Sequence, residues 1–362
     1  MSQQPLTTTD TFPVISIPTD KTWLDTLQPY LPKRKHMYPL TLLFVYGVWF
    51  SYMAINGLFG LFEQHAPVSI TMTLGSFIAG ATAEGGAAVA FPVFTKVLHI
   101  PPADARTFGL MIQAVGMTMA GWVIYLNRIP ILKSVIVYVT LGGILGQVIG
   151  TFWLILPNPY PRILFTFIAA TFGVALFVSR YVLKWKPETG FKHWDNSHRF
   201  VFVMVGIVGG AFAAQTGSGI DMLTFIVLTL AFGIDEKLST PTTVIIMGLN
   251  SVIGFALHGF IVQDIGVAWD YWLVAIPIVI IGAPLGAVVA ARLKRDVIIV
   301  ALLSLITLEV GTTLWLVPFS MESKIVTIIA MAICALVFCV MLVYRHTHRH
   351  DTLSPKAEVT HG

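Results

Sequence analysis

The stretch "GATAEGGAAVAFP", Gly80 to Pro92, sets three glycines and the acid Glu84 in the middle of an apolar run that reaches from Val68 to Ile100. As continuous helix, those roughly 33 residues would extend about 50 Å, against about 30 Å of hydrocarbon in a bilayer. Each glycine lowers helix propensity by about 1 kcal/mol, so the run is expected to break here. A second run, Arg199 to Ile234, is equally overlong and carries "GGAFAAQTGSGID", Gly209 to Asp221, near its middle. Peptide groups freed at such breaks are tolerated at membrane depth only where protein buries them or a wet cavity faces them.

Composition places these breaks in a membrane. Of 362 residues, 56% are hydrophobic and only 11% charged, and the mean hydropathy is +0.80. That is far too apolar for a soluble globular protein. The net charge of +4 calls for no nucleic-acid partner, because multi-span proteins concentrate Lys and Arg in their cytoplasmic loops. Residues 1–37 form a polar, Pro- and Thr-rich extension without the apolar core of a secretory signal. Cys334 and Cys339 fall in the last apolar run at a spacing that suits neither a redox pair nor zinc, and read as lipid- or helix-facing residues. The basic "RHTHRHD" after that run reads as a cytosolic flank rather than a metal site. No Gly-x4-Gly-Lys-Ser/Thr loop is present, so the chain carries no ATP engine of its own, and no cofactor or metal is expected.

Eight further runs are long enough to span, at 38–60, 103–126, 131–156, 161–183, 240–261, 268–291, 297–318 and 323–344. The two breaks occupy corresponding places in an ordered internal similarity. Gly80, Gly85 and Gly86 answer Gly210, Gly217 and Ser218, and "GGILGQVIG" from Gly142 answers "GAPLGAVVA" from Gly282. The expected organisation is an extra first helix (38–67), repeat 1 (68–183), a basic linker (184–198), repeat 2 (199–318), an extra last helix (319–344) and a tail (345–362). If the N-terminus lies inside and both overlong runs cross completely, inner loops hold twelve flanking Lys or Arg and outer loops eight. If each run dips in and returns on its own side, the tally becomes sixteen against four. The positive-inside rule favours the second arrangement, with both termini cytoplasmic. The expected fold class is therefore an all-α polytopic membrane protein of two inverted repeats, each with a Gly-broken, re-entrant helix plus three spans. Inverted repeats with interrupted helices are the common build of secondary transporters, with the substrate site where the breaks meet.

A half-helix restarting inside the membrane presents free N–H groups and the positive end of its dipole, a ready place for an anion. Gly85 and Gly86 in the first break, and Gly217 and Gly219 in the second, would let a ligand approach the backbone. Gln215, Thr216 and Ser218 would add neutral donors. Gln113 and Asn250, similarly placed in the next spans, would either complete the cavity or join helices. Glu84 and Asp221 have two readings, as proton carriers or as helix caps. An acid beside an anion site opposes binding unless protonated, and proton coupling would follow from that. His258 and Glu309 read as satisfied internal polar groups.

The quoted segments have a further significance. "AGATAEGGAAVAFPVF" followed by "HIPPADARTFGLMIQAVG", and later "GGAFAAQTGSGIDMLTFIVLTLAFGIDEKLSTPTTVIIMGLNSVIG", resemble the two Gly-rich halves of the sulfite exporter TauE/SafE family of membrane permeases, over roughly residues 65–320. The resemblance implies movement of small sulfur-containing anions such as sulfite, sulfoacetate or related organosulfonates. Its motif positions are Gly85, Gly86 and Pro92 in one half and Gly217, Ser218 and Gly219 in the other. Glu84 before the first Gly pair, and the lack of a second-half counterpart to Pro92, depart from the family pattern. The expected partners are thus a small anion, the lipid bilayer and protons, with the oligomeric state open. A passive anion channel would use the same residues. An intramembrane hydrolase built on Ser218 and His258 fits poorly, because Thr216 stands where a rhomboid-type site needs Gly and Ile220 separates Gly219 from Asp221.

Overall fold

The computed structural model describes residues 34–83, 87–154, 156–157, 159–182, 187–191, 194–316, 321–347 and 359–360. Glu84, Gly85 and Gly86 lie outside the described residues, as do most of the N-terminal extension and the "HRHD" end of the basic flank. Among the described residues, seven helices are long and apolar enough to cross a membrane, so the chain is an all-α polytopic membrane protein. Beyond them, one short β pairing joins Ile131–Leu132 to Val359–Thr360.

The first helix, α1, is Arg34–Ile55. The first overlong run divides into α2, Ala66–Ala81, and α3, Ala87–Pro92, which continues as a wider π-helical turn, Val93–Val97. Next come α4, Pro102–Leu126, with Pro at its first turn where no N–H is missed, then α5, Lys133–Phe152, and α6, Tyr160–Phe177. The second overlong run divides into α7, Asn196–Thr216, and α8, Ile220–Ile226, extended to Ala231. The remaining helices are α9, Glu236–Ala256, α10, Ala268–Arg292, α11, Arg295–Leu316, and α12, Met321–Thr347. Two starts are capped by aspartate: the Asp195 carboxylate accepts from His198 N–H at 3.0 Å, and Asp235 from Lys237 N–H at 2.8 Å. The His198 bonds, that of its backbone amide first, hold the Asp195 carboxyl below the ordinary carboxylate range.

The second break lies near the middle of its run, as read from the sequence, but is shorter than the quoted stretch. Gly209 to Thr216 stay helical, and the interruption follows a 21-residue arm long enough to cross alone. Gly217 ends that arm in a left-handed conformation at φ 80°, which glycine adopts without the clash a Cβ would bring.

Each overlong run returns to the end it left. His198 at the start of α7 meets Phe232 just past α8, with ring centroids 5.3 Å apart. His65, capping α2, and Phe94, beyond α3, both meet Tyr271 at the start of α10, at 5.0 Å and 6.5 Å. The other end of α10, Ala291, shares a surface pocket with Asp235 and Lys237, beside the second run's end. At 25 residues, α10 measures about 37 Å between those ends. The first run therefore starts and finishes at one end of the bundle, and the second at the other.

The main packing is reciprocal. α2 lies along α10 and α7 along α5, while α4 runs centrally between α9 and α10. Both lengthwise seams are backbone against backbone. A Cβ at Gly80 would strike the Ala283 carbonyl, and one at Gly286 the Phe77 carbonyl. At the other seam, Gly142 and Gly146 face the carbonyls of Val203 and Ile207, and Gly206 faces that of Val139. Lipid offers helices no hydrophobic reason to associate, so this close approach and its dispersion energy hold the seams.

α10 also carries Pro277 and Pro284 within its length. Each proline deprives the carbonyl four residues earlier of its helical donor. Those carbonyls are Leu273 and Ile280, and α1 supplies both missing donors: Trp49 Nε1–H reaches Leu273 O at 2.8 Å, and Tyr38 O–H reaches Ile280 O at 3.1 Å. Tyr46 O–H adds a bond to Pro277 O at 2.6 Å. The docking of α1 is thus fixed by kinks some 230 residues away in the chain.

Two stability outcomes follow and are readable as thermal unfolding in mild detergent. Trp49→Phe leaves a buried carbonyl without its donor and lowers stability by about 1–3 kcal/mol. Gly146→Leu forces the α5–α7 seam apart and abolishes the folded species, whereas Gly47→Leu, with nothing within 4 Å, leaves the midpoint unchanged.

Candidate functional site

At the second break the chain turns through Gly217, Ser218 and Gly219. Gly217 sits against the first turns of α4: a Cβ on Gly109 would come within 3.4 Å of the Gly217 Cα, and one on Gly217 within 2.7 Å of the Arg106 carbonyl. Gln113, one turn further along α4, donates from Nε2 to Gly217 O at 2.7 Å and to Gly109 O at 3.2 Å. The amide therefore fixes the broken chain to the neighbouring span while its other end, Oε1, is buried without a partner among the described residues.

That turn borders a small cavity. Met72 and Ser76 of α2, Ala90 and Phe91 of α3, Gln113 of α4 and Thr216 at the end of α7 line it, with α10 behind. About 20 Å³ is open to the centres of water-sized occupants, room for about one water molecule. Its walls are mostly apolar, yet Ser76 Oγ and Gln113 Oε1, both fully buried, have no hydrogen-bond partner among the described residues. Buried polar atoms are nearly always paired, and two orphans on one cavity mark it as a place where something polar binds.

The described residues expected at the site fall into four placements. Gln113, Thr216 and Gly217 come together at the cavity. Ser218, Gly219 and Asp221 form a compact cap: Gly219 N–H donates to the Asp221 carboxylate at 3.0 Å, and Ser218 O–H to the same carboxylate at 3.3 Å. Thr216 O–H closes the turn on the Ser218 carbonyl. Of the two readings of Asp221, capping is the one this geometry makes, and its carboxylate holds the position an outside anion would take. Gln215 is spent internally, donating to Gly150 O at 2.7 Å and accepting from Leu156 N–H at 3.1 Å. It ties α7 to the end of α5. Asn250 lies apart from the cavity, where its Nδ2 donates to Gln147 Oε1 at 3.2 Å. Asn250 Oδ1 and Gln147 Nε2 lack partners among the described residues.

Sequence reading missed Gln147, which stands in the quoted "GGILGQVIG" but was weighed only for its glycines. It also missed Ser76, whose signal was a hydroxyl on a stripe of small residues. Ser218 and His258 share no hydrogen bond. The His258 Nδ1 pairs with Asp264 Oδ1 at 2.6 Å, and Asp264 Oδ2 accepts from Arg106 at 3.4 Å, placing a His–Asp–Arg group beside the second break. Among the described residues no group of three or more His, Cys, Asp or Glu could hold a metal.

Comparison with curated proteins and with solved structures finds no match to the chain. The family model for sulfite exporter TauE/SafE matches residues 68–314, which takes in both broken runs, the cavity and the two glycine seams. More than half of the chain lies within that match, and the protein therefore belongs to the sulfite exporter TauE/SafE family, an exporter-type transporter of small anions in a membrane.

Proposed function

We propose that this protein exports small sulfur oxyanions, such as sulfite, sulfoacetate or related organosulfonates, by alternating access around the cavity between the two broken runs. The observation that carries the reading is the joint lining: α2 and α3 contribute one wall, Thr216 and the Gln113–Gly217 bond the other, and Ser76 and Gln113, which carry the two orphan polar atoms, both line the space between. Ser76 O–H is a neutral donor and holds an oxyanion oxygen without trapping it, while Gln113 Oε1, an acceptor, takes a hydroxyl of a protonated cargo or a water that accompanies it. A cavity with room for about one water is a closed form, and the walls must separate to admit a sulfur atom with its oxygens. Residues 68–183 and 199–318 serve as the two inverted units, each dipping in from its own end. The reciprocal seams α2–α10 and α7–α5 support this, because each unit's first arm leans on the other unit.

The end bearing Arg128, Lys133, Arg180, Arg199, Lys237, Arg292 and Lys294 is the cytoplasmic one, with both termini, and the membrane is the inner membrane in a bacterial cell. A negative interior then favours anion efflux by about 2.3 kcal/mol per charge at 100 mV. The acids at the breaks, Glu84 and Asp221, are where a proton joins the cycle. While Asp221 is ionised it occupies the Gly219 amide itself, and once neutral it leaves that helix start open to the cargo.

Purified protein in liposomes, loaded with sulfite or sulfoacetate, tests the reading. Saturable counterflow of either anion is expected; unsaturable electrodiffusion would make the protein a passive channel, and peptide cleavage without anion flux would make it a hydrolase. Gln113→Ala removes both the tie to Gly217 and the cavity acceptor and slows flux by about tenfold or more. Gly217→Ala, strained at φ 80° and pressed on the Arg106 carbonyl, lowers the unfolding midpoint by an amount equivalent to at least about 1–2 kcal/mol.

A further inference from the structure

Away from the cavity, one buried ion pair has no part in the reading above. Lys96 Nζ lies 3.3 Å and 3.4 Å from the two carboxylate oxygens of Glu309, with the side chains 3% and 4% exposed. Lys96 belongs to the π-helical turn that continues α3, and Glu309 to α11. Three hydroxyls surround them. Thr166 of α6 donates to Glu309 Oε1 at 2.8 Å, Thr313 donates to the same oxygen at 3.1 Å, and Lys96 donates to Thr313 at 2.8 Å and Thr312 at 3.1 Å. The other described ion pairs are all more exposed.

A buried pair of full charges gives little net stability against apolar residues of the same size, yet neutralising one partner leaves the other charge buried and uncompensated, which is strongly unfavourable. Such pairs inside a membrane mark function. The ammonium here is nearer to the Thr313 hydroxyl than to the carboxylate, and Glu309 Oε2 has only the longer 3.4 Å contact with Lys96. The arm that carries Lys96 has Ala90 and Phe91 on the cavity, and leaves through His99 in a left-handed conformation at φ 53°, a strained position for a side-chain-bearing residue and a natural pivot.

We propose that Glu309 is a proton-binding site that controls the attachment of this arm. With Glu309 ionised, Lys96 is held and the arm closes the cavity wall. A proton taken up from solution by the Glu309 carboxylate cancels the attraction, the Lys96 ammonium exchanges Thr312 and Thr313 for water, and the arm swings on His99 to open the cavity. Among the described side chains facing Glu309, from α3 and its extension, α6 and α11, Lys96 is the only charged or titratable one; Thr166, Thr312 and Thr313 are neutral. The inference deepens the transport reading and rests on it for the purpose of the opening, while its test does not require transport.

In the full chain with Cys334→Ser and Cys339→Ser, Ala90→Cys places a thiol on the cavity face of the arm, and a membrane-impermeant methanethiosulfonate reports its exposure in liposomes. Each pH's rate is normalised to that of an exposed control cysteine at Gly57, to remove the thiol's own titration. The normalised rate is expected to rise about tenfold as the pH falls through the Glu309 transition, with Glu309→Gln fast at every pH. Thr166→Val, which keeps the pair but removes one donor to the carboxylate, shifts the transition to higher pH, an effect a purely structural contact would not produce. A pH-independent normalised rate in the parent, or an unshifted transition in Thr166→Val, overturns the proposal, the latter deciding the matter even if Glu309→Gln does not fold. PH-gated labelling without any anion flux would sink the transport reading and leave the latch standing.

Discussion

No peptide group can be surrendered to hydrocarbon, and the rest of this structure depends on how the chain meets that constraint where its helices stop short. At the second break the hydrogen-bonding groups are taken up locally: Gly217 O by Gln113, Gly219 N–H by Asp221, and the Ser218 carbonyl by Thr216. In a soluble protein, water would do this work. Here side chains from the same turn and from α4 must be in place, so the broken chain is anchored to a particular neighbour. The cavity is a consequence of that anchoring, since it occupies the space left where α4 bridges one unit's turn to the other unit's arms.

The glycine seams answer the same constraint at larger scale. With Gly142, Gly146 and Gly206 on one seam and Gly80 and Gly286 on the other, helix backbones meet without intervening side chains. That gives two stiff lengthwise contacts. The ends of the return arms are held by lighter means, a ring of aromatics around Phe191 and Phe232 at the second arm and the Lys96–Glu309 group at the first. Rigid seams and loosely tied arms are what a rocking mechanism around a central site requires.

Much of this was legible in the residues. Overlong apolar runs with glycine clusters announced broken helices because helix length and bilayer thickness are fixed quantities, and Gln113 could be singled out because an amide inside a span needs partners. What the residues could not reveal is long-range pairing. Gln215 looked like a free donor and is consumed by Gly150; Glu309 looked merely satisfied, and its partner Lys96 is 213 positions away. The match of Trp49 and Tyr38 to the carbonyls freed by Pro277 and Pro284 is likewise invisible until α1 and α10 lie side by side. The extent of the second break was overread for a local reason: Gly209 and Gly210 looked like part of the interruption, whereas both are helical, Gly209 packed on Ile220 of the returning arm and Gly210 on the backbone of α5.

The α2–α10 seam has a consequence for how the molecule is made. Gly80 meets Ala283, so α2 leaves the ribosome about 200 residues before the surface it fits, an interval of about 10–40 s at ordinary elongation rates. Its counterpart α7 finds α5 already synthesised. α2 must therefore wait in the insertion machinery or at the lipid headgroups, with a glycine-lined face uncovered, until α10 arrives, and assembly of the nascent chain is asymmetric even though the two finished seams are alike.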